Sequence, residues 1–186
     1  MSAFSSQTAI DLLRAAGRDR STLEDEVVSL FDCFRTPLLR YLLAFRVPLS
    51  DAEEIVQDVF LLLFQHLRHD RSRENLQGWI FSVAHKRALK YHARNKRHGE
   101  RFESLPPFGD GQQDRAPGPE EQMYFNQQRE RLLSIFRALP EQDRLCLSLR
   151  AEGLRYREIA GVLGISLGSV ANSMARAIER LTGGAV

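Results

Sequence analysis

The polar side chains near the end of the chain have the types and spacing of groups that bond to nucleic-acid bases. Between Ser166 and Arg180, hydroxyl, amide and guanidinium groups recur at three- and four-residue steps, which places them together on a helix. An asparagine can make two hydrogen bonds to adenine, and an arginine two to guanine. We therefore predict a DNA-contacting face made of Ser166, Ser169, Asn172, Ser173, Arg176 and Arg180.

The elements that would position this face form a helix-turn-helix. The pattern predicts a helix that ends near Gly153, a short helix over Tyr156–Leu163, a turn at Gly164 and a final helix capped by Ser166. Two helices joined by such a turn place the second helix in the major groove. A helical hairpin with a solvated polar face is the alternative. The predicted buried stripe of the final helix is Val170, Met174, Ile178 and Leu181.

A second set of basic and aromatic side chains lies on a long helix predicted over residues 76–97. Residues 85–101 contain seven Lys or Arg and one acid, Glu100. Cationic side chains bind phosphates, and an aromatic ring among them can stack on an unpaired base. His85 is counted on this basic face. The predicted contacts to opened DNA are Trp79, Lys86, Arg87, Lys90, Tyr91, Arg94 and Arg97.

An acidic helix precedes this basic one. Ser50 and Glu53 fit the S-x-x-E capping box at its start. Its apolar positions form one continuous stripe, and the opposite face carries acids, amides and one leucine. From the residues alone a solvated surface is the commoner explanation, and a protein-docking face is the other. The residues concerned are Asp51, Glu54, Gln57, Asp58 and Leu61.

The remaining pattern is helical and divides the chain in two. Residues 26–45 have helical spacing, with Pro37 predicting a kink or a break near Arg35–Thr36. Residues 99–120 are rich in Gly and Pro, which predicts a flexible linker. We expect an all-α fold of two small helical domains. The parts are an extension (1–25), a first domain (26–98), the linker (99–120) and a second domain (121–186), with Met123, Leu132, Leu133 and Phe136 buried at its start.

Composition excludes several classes. The 186 residues are 43% hydrophobic and 27% charged with a net charge of +2, which is ordinary for a soluble protein. Cys33 and Cys146 are expected to be free, buried thiols, and no apolar run reaches the ~20 residues of a membrane span. We therefore expect a cytoplasmic protein. No catalytic constellation is patterned, and His66 and His69 lack further ligands, so we expect no enzyme, no cofactor and no metal.

Two blocks of sequence resemble one known family. Leu139–Glu141, Glu158–Ala160 and Leu163–Ser166 resemble the C-terminal DNA-binding domain of bacterial RNA polymerase sigma factors, above all the extracytoplasmic-function (ECF) group. Asp51–Phe60 and Gly78–Phe81 resemble the N-terminal domain of the same group. The two blocks stand in the order that the family has. Together they cover roughly residues 28–98 and 120–182.

This resemblance implies a function for each surface. The C-terminal domain would read an upstream promoter element, and the basic helix would melt a downstream one. The acidic helix would dock on the clamp coiled coil of the largest subunit of core RNA polymerase. A cognate anti-sigma protein is the further partner implied. The chain departs from the family pattern at Lys86, Lys90, Ala171 and Ser173, so the family's base preferences are not carried over.

Two other functions fit parts of the sequence. An autonomous helix-turn-helix repressor or activator would be a dimer, because a lone helix-turn-helix seldom holds DNA. It leaves the basic and acidic helices unexplained. A pure protein-interaction adaptor explains the acidic helix and leaves the recognition helix unexplained.

Overall fold

The computed structural model describes residues 20–69, 71–98 and 119–183, with side chains for 23–69, 71–96 and 126–183. Every regular element in these ranges is an α-helix, which confirms the all-α fold. Residues 99–118 of the predicted linker and most of the N-terminal extension lie outside the described residues, while Pro119 and Glu120 begin a helix. The helices are α1 (Arg20–Ala44), α2 (Leu49–Arg68), α3 (Leu76–His98), α4 (Pro119–Ala138), α5 (Glu141–Ala151), α6 (Tyr156–Leu163) and α7 (Leu167–Gly183).

The first three helices pack around an apolar core. Helix α2 contributes a buried stripe at helical spacing, as predicted, and α1 and α3 cover it with their own apolar faces. Phe31 and Phe60 meet edge to face with ring centroids 5.0 Å apart. The residues buried on α2 are Ala52, Ile55, Val56, Val59, Phe60, Leu63 and Leu67.

The capping box predicted for this half is wrong, and of the kink or break predicted at Pro37, the break does not occur. Helix α2 begins at Leu49, so Ser50 lies inside its first turn and makes no capping bond, while Glu53 pairs with Arg35 at 3.2 Å. Helix α1 continues through Pro37 without a break. The buried residues Phe34 and Leu38 on either side of the proline pack into one core, and this packing outweighs the lost hydrogen bond.

Helices α5, α6 and α7 form the predicted helix-turn-helix. Gly153 (φ 92°) and Gly164 (φ 67°) have the left-handed backbone that ends each helix. The Ser166 Oγ accepts a hydrogen bond from the Ser169 N–H at 3.1 Å, so the predicted cap of α7 is confirmed. Helices α6 and α7 meet at 106°, within the range of this motif.

The buried stripe of α7 differs from the prediction. Val170 and Met174 are buried, but Ala177 continues the stripe, while Ile178 is 49% exposed. The i, i+3, i+4, i+7 set counted from Val170 includes 173 and 177, which explains the difference. On α4, Leu132 is also exposed, against expectation, and Leu133 and Phe136 are half-buried. The Met123 side chain lies outside the described residues.

The two halves of the protein pack against each other. The core is continuous from α1 and α3 into α5 and α6. Polar bonds also cross this boundary: the Arg144 Nε donates to the Ala44 carbonyl at 2.7 Å, and Arg40 makes two 2.8 Å bonds to the Glu152 carboxylate. Gln77 Nε2 donates to the Glu152 carbonyl at 2.8 Å.

Within the ranges described above, no single helix is long and apolar enough to cross a membrane. Helices α6 and α7 have sufficient length and apolar composition only when taken together, and they meet at the bend of the helix-turn-helix.

Candidate nucleic-acid and protein interfaces

The predicted DNA-contacting face of α7 presents fewer residues than expected. Asn172 and Arg180 are exposed and form no hydrogen bond or ion pair in the described structure, while Ser169 and Ser166 share a 2.9 Å contact between their hydroxyls. Ser173 is 0% exposed, so the expectation that it faces outward is wrong. Its hydroxyl accepts a 2.8 Å bond from Gln142 Nε2 on α5.

Arg176 is tied to a buried carboxylate. Its Nε and Nη2 donate to the two oxygens of Asp143 at 3.0 and 2.6 Å, and Nη2 also donates to Ser173 at 3.1 Å. Asp143 is 0% exposed. Burial raises the pKa of this carboxyl, but the bonds from Arg176 and Ser173 outweigh it, and the pKa lies below its ordinary value.

The sequence pattern gave no signal for the pairing of Asp143 with Arg176. Asp143 lies 33 positions before Arg176 and on another helix, so no local spacing links the two. Its position in the first turn of α5 is also what a helix dipole alone would favour.

The basic face of α3 is exposed along its outer side. Lys86, Lys90 and Arg94 are exposed and unbonded within the described structure. Arg87 forms a 3.2 Å ion pair with Asp58 on α2, and the Tyr91 hydroxyl donates to Asp51 at 3.3 Å.

Trp79 and Arg97 are two further predicted members of this face. Trp79 is half-buried, with its ring 4.6 Å from the His66 ring. The Arg97 side chain lies outside the described residues.

His85 does not belong to this basic face, contrary to prediction. It is buried one turn after Phe81 on the core side of α3, with its Nδ1 2.8 Å from the Tyr41 hydroxyl and its ring stacked on Phe45. Burial lowers its pKa from 6.5 to about 4, because the charged imidazolium would lose its hydration. At neutral pH it carries no charge for DNA.

The acidic face of α2 is exposed at its centre. Glu54 and Gln57 are exposed, and Leu61 exposes 63% of its surface. Asp51 and Asp58 are half-buried because the α3 side chains named above bond to them. The acidic and basic faces are therefore neighbours, joined by two polar contacts.

The remaining ionisable side chains have local roles. His66 and His69 each bond to a backbone carbonyl, and the described residues contain no group of three side chains suited to a metal. Cys33 is half-buried and Cys146 is buried, both as free thiols. Burial raises the pKa of each thiol.

These features define a class of protein: a helix-turn-helix DNA-binding protein with a second, basic helix in its other half. Family comparisons agree with both halves. Residues 30–98 match the family described as Sigma-70 region 2, and residues 129–181 match Sigma-70, region 4.

Curated relatives carry the same assignment. The ECF RNA polymerase sigma-E factor of Escherichia coli (strain K12) is 27% identical over 146 residues, covering 73% of this chain and 74% of the relative. The RNA polymerase sigma factor YlaC of Bacillus subtilis (strain 168) is 25% identical over 154 residues, covering 82% and 88%. The chain belongs to the sigma-70 family, as an ECF-type alternative sigma factor that directs transcription initiation.

A solved structure shares the fold. It is described as the structure of CnrH in complex with the cytosolic domain of CnrY, and it aligns with a TM-score of 0.56 at 18% identity over 96% of this chain and 95% of the other. The family implies binding to RNA polymerase and promoter DNA, and it is not a family of enzymes.

Proposed function

We propose that the chain divides promoter recognition among three surfaces: α7 reads the upstream element, the basic face of α3 holds and opens the downstream element, and the acidic face of α2 binds core RNA polymerase. The observation that carries the proposal is Leu61. A leucine that is 63% exposed at the centre of an acidic face suits a protein partner and not DNA.

The position of the basic face beside the acidic one supports this division. Arg87 pairs with Asp58 across the border, so polymerase bound on α2 would bring its DNA to α3. Lys86, Lys90 and Arg94 have the charge and exposure to bind phosphates. Tyr91 is the candidate to stack on an unpaired base, after releasing its bond to Asp51.

The polymerase partner we propose is the clamp coiled coil of the largest subunit. Its contacts on this chain would be Asp51, Glu54, Gln57, Asp58 and Leu61. Because Asp51 and Asp58 also hold α3 side chains, Leu61, Glu54 and Gln57 are the members that can bind without disturbing the basic face.

A protein inhibitor is the further partner proposed. The CnrH structure contains the cytosolic domain of a second protein, CnrY, and we propose that this chain has an anti-sigma partner of its own. We also propose that the chain acts in the cytoplasm and catalyses no reaction itself.

The test of the α2 assignment is Leu61→Ala. It removes apolar contact with the partner but has little effect on the stability of the fold, because Leu61 is exposed. We expect polymerase binding to weaken roughly ten-fold if about 1.4 kcal/mol of binding free energy is lost. The measurement is titration of labelled protein with core polymerase. Leu132→Ala, at a leucine 49% exposed on α4, is the matched control and should bind as the wild type does.

The competing function gives a different outcome. An autonomous regulator would run as a dimer on a sizing column, shift duplex DNA alone and show no affinity for core polymerase. If the Leu61 variant, the control and the wild type bind core polymerase equally, the proposed docking face on α2 is wrong. The family assignment would still hold.

A further inference from the structure

The bonds between Asp143 and Arg176 fix the direction of one arginine on the recognition helix. Both oxygens of Asp143 accept from the guanidinium, at 3.0 and 2.6 Å, and Ser173 adds a third acceptor. Two parallel hydrogen bonds to a planar guanidinium restrict the rotation of the side chain. The Arg176 guanidinium is therefore held in one orientation at the protein surface.

The donors that remain are few. An arginine has five N–H groups, and the three on Nε and Nη2 are committed to Asp143 and Ser173. The two on Nη1 have no partner in the described structure, and about half of the side chain, 49%, is exposed. Arg176 therefore presents one nitrogen with two free donors beside the exposed Asn172.

The positive charge of Arg176 is balanced by a carboxylate of α5. Asp143 neutralises it at hydrogen-bond distance, so the pair attracts phosphate less than a free arginine does. Arg180, one turn further along α7, is exposed and unpaired within the described structure. Two donors with a fixed direction and little net charge suit the neutral O6 and N7 acceptors of guanine.

We propose that Asp143 is a positioning residue that holds Arg176 as a reader of guanine in the upstream element, while Arg180 contacts phosphate. This inference rests on the proposed role of α7. It adds a residue of α5 to the specificity of the promoter contact, although Asp143 itself is fully buried and touches no DNA.

The experiment uses holoenzyme assembled from core polymerase and the full chain. A random duplex library selected with the wild type gives the preferred upstream sequence, and binding is then measured on duplexes that replace each guanine in turn. We expect the wild type to prefer guanine at one position by roughly ten-fold.

The variants separate reading from positioning. Arg176→Ala should lose the preference at that position alone, and Asp143→Asn, whose amide nitrogen cannot accept a bond, should reduce it to roughly three-fold or less. Arg176→Lys keeps the charge without the two parallel bonds and should lose the preference too. Arg180→Ala is the matched control: it should weaken all duplexes alike and lower the salt slope by about 1.

Three results would overturn the proposal. Arg176→Ala could weaken every duplex equally, which would make Arg176 a phosphate contact. Asp143→Asn could lower thermal stability and leave the guanine preference at full size, which would make the pair purely structural. Arg176→Lys could retain the preference, which would make the orientation unnecessary. If the wild-type holoenzyme selects no upstream sequence at all, the role of α7 fails first, and this inference fails with it.

Discussion

Internal hydrogen bonds determine which polar residues of the recognition helix and of α3 can reach a partner. Ser173 and His85 are the right residue types at the right sequence spacing, yet both are buried and bonded to neighbouring helices. Asn172, Lys90 and Arg180 are exposed and have no such bonds to the part of the chain that the structure describes. Fewer polar side chains are therefore free to contact a partner than helical spacing alone suggests.

The buried His85 makes a testable contribution to stability. Its folded-state pKa of about 4 lies below the unfolded value of 6.5, so the unfolded chain binds the proton more tightly. The free energy of unfolding is therefore highest above about pH 6.5. It falls by up to about 3 kcal/mol as the pH falls towards 4. We expect His85→Gln to be less stable at pH 7 and to depend less on pH in this range, measured by urea unfolding at stepped pH.

The pH dependence has a clear contrary result. If the His85→Gln and wild-type unfolding free energies fall in parallel between pH 6.5 and 4, the imidazole at this position titrates normally. The bond to Tyr41 and the stacking on Phe45 would then not exclude water from His85.

At the scale of elements, we expect replacement of glycine by alanine to have opposite effects on stability at two positions of the helix-turn-helix. Gly164 ends α6 at φ +67°, where an alanine is strained, and Gly161 lies inside α6 with open space where an alanine Cβ would lie. We expect Gly164→Ala to cost roughly 1–2 kcal/mol and Gly161→Ala to gain up to about 1 kcal/mol. Thermal unfolding of the full chain measures both.

The two alanine variants also serve as controls for each other. Each adds one methyl group with nothing within 4 Å to meet it, so packing contributes to neither. Equal changes in the two melting temperatures would show that the left-handed backbone at Gly164 does not matter to the stability of the turn.

Local pattern predicted the elements well and their contacts less well. The spacing of Ile55, Val59 and Leu63 is read within one helix, and Gly164 and Ser166 act on neighbouring backbone, so the α2 stripe and the turn were predictable. The burial of His85 depends on α1, and the pairing of Arg176 depends on α5. Those partners are distant in sequence, and no helical period indicates them.

At the scale of the whole molecule, charged groups sit in the boundary between the two halves. Arg144 is 1% exposed and donates to two carbonyls, and no carboxylate of the described residues bonds to it. Burial lowers the pKa of its guanidinium, since the charge has lost its hydration. Around Arg144 the boundary is therefore less stabilising than apolar contact of the same size would be.

The Arg40–Glu152 pair is the contact whose loss should open the protein. The Glu152 side chain is 6% exposed and accepts from Arg40, while the Glu152 backbone carbonyl accepts from Gln77. Glu152→Lys would place a second cation against Arg40 in a buried site, at a cost of the order of 2 kcal/mol or more.

The 20 residues between α3 and α4 could then span up to about 65 Å. We expect a larger radius of gyration in X-ray scattering with unchanged helix content, whereas Glu179→Lys, an exposed reversal on α7, should leave it unchanged. An unchanged radius in the Glu152 variant would show that the apolar contacts alone hold the two halves together.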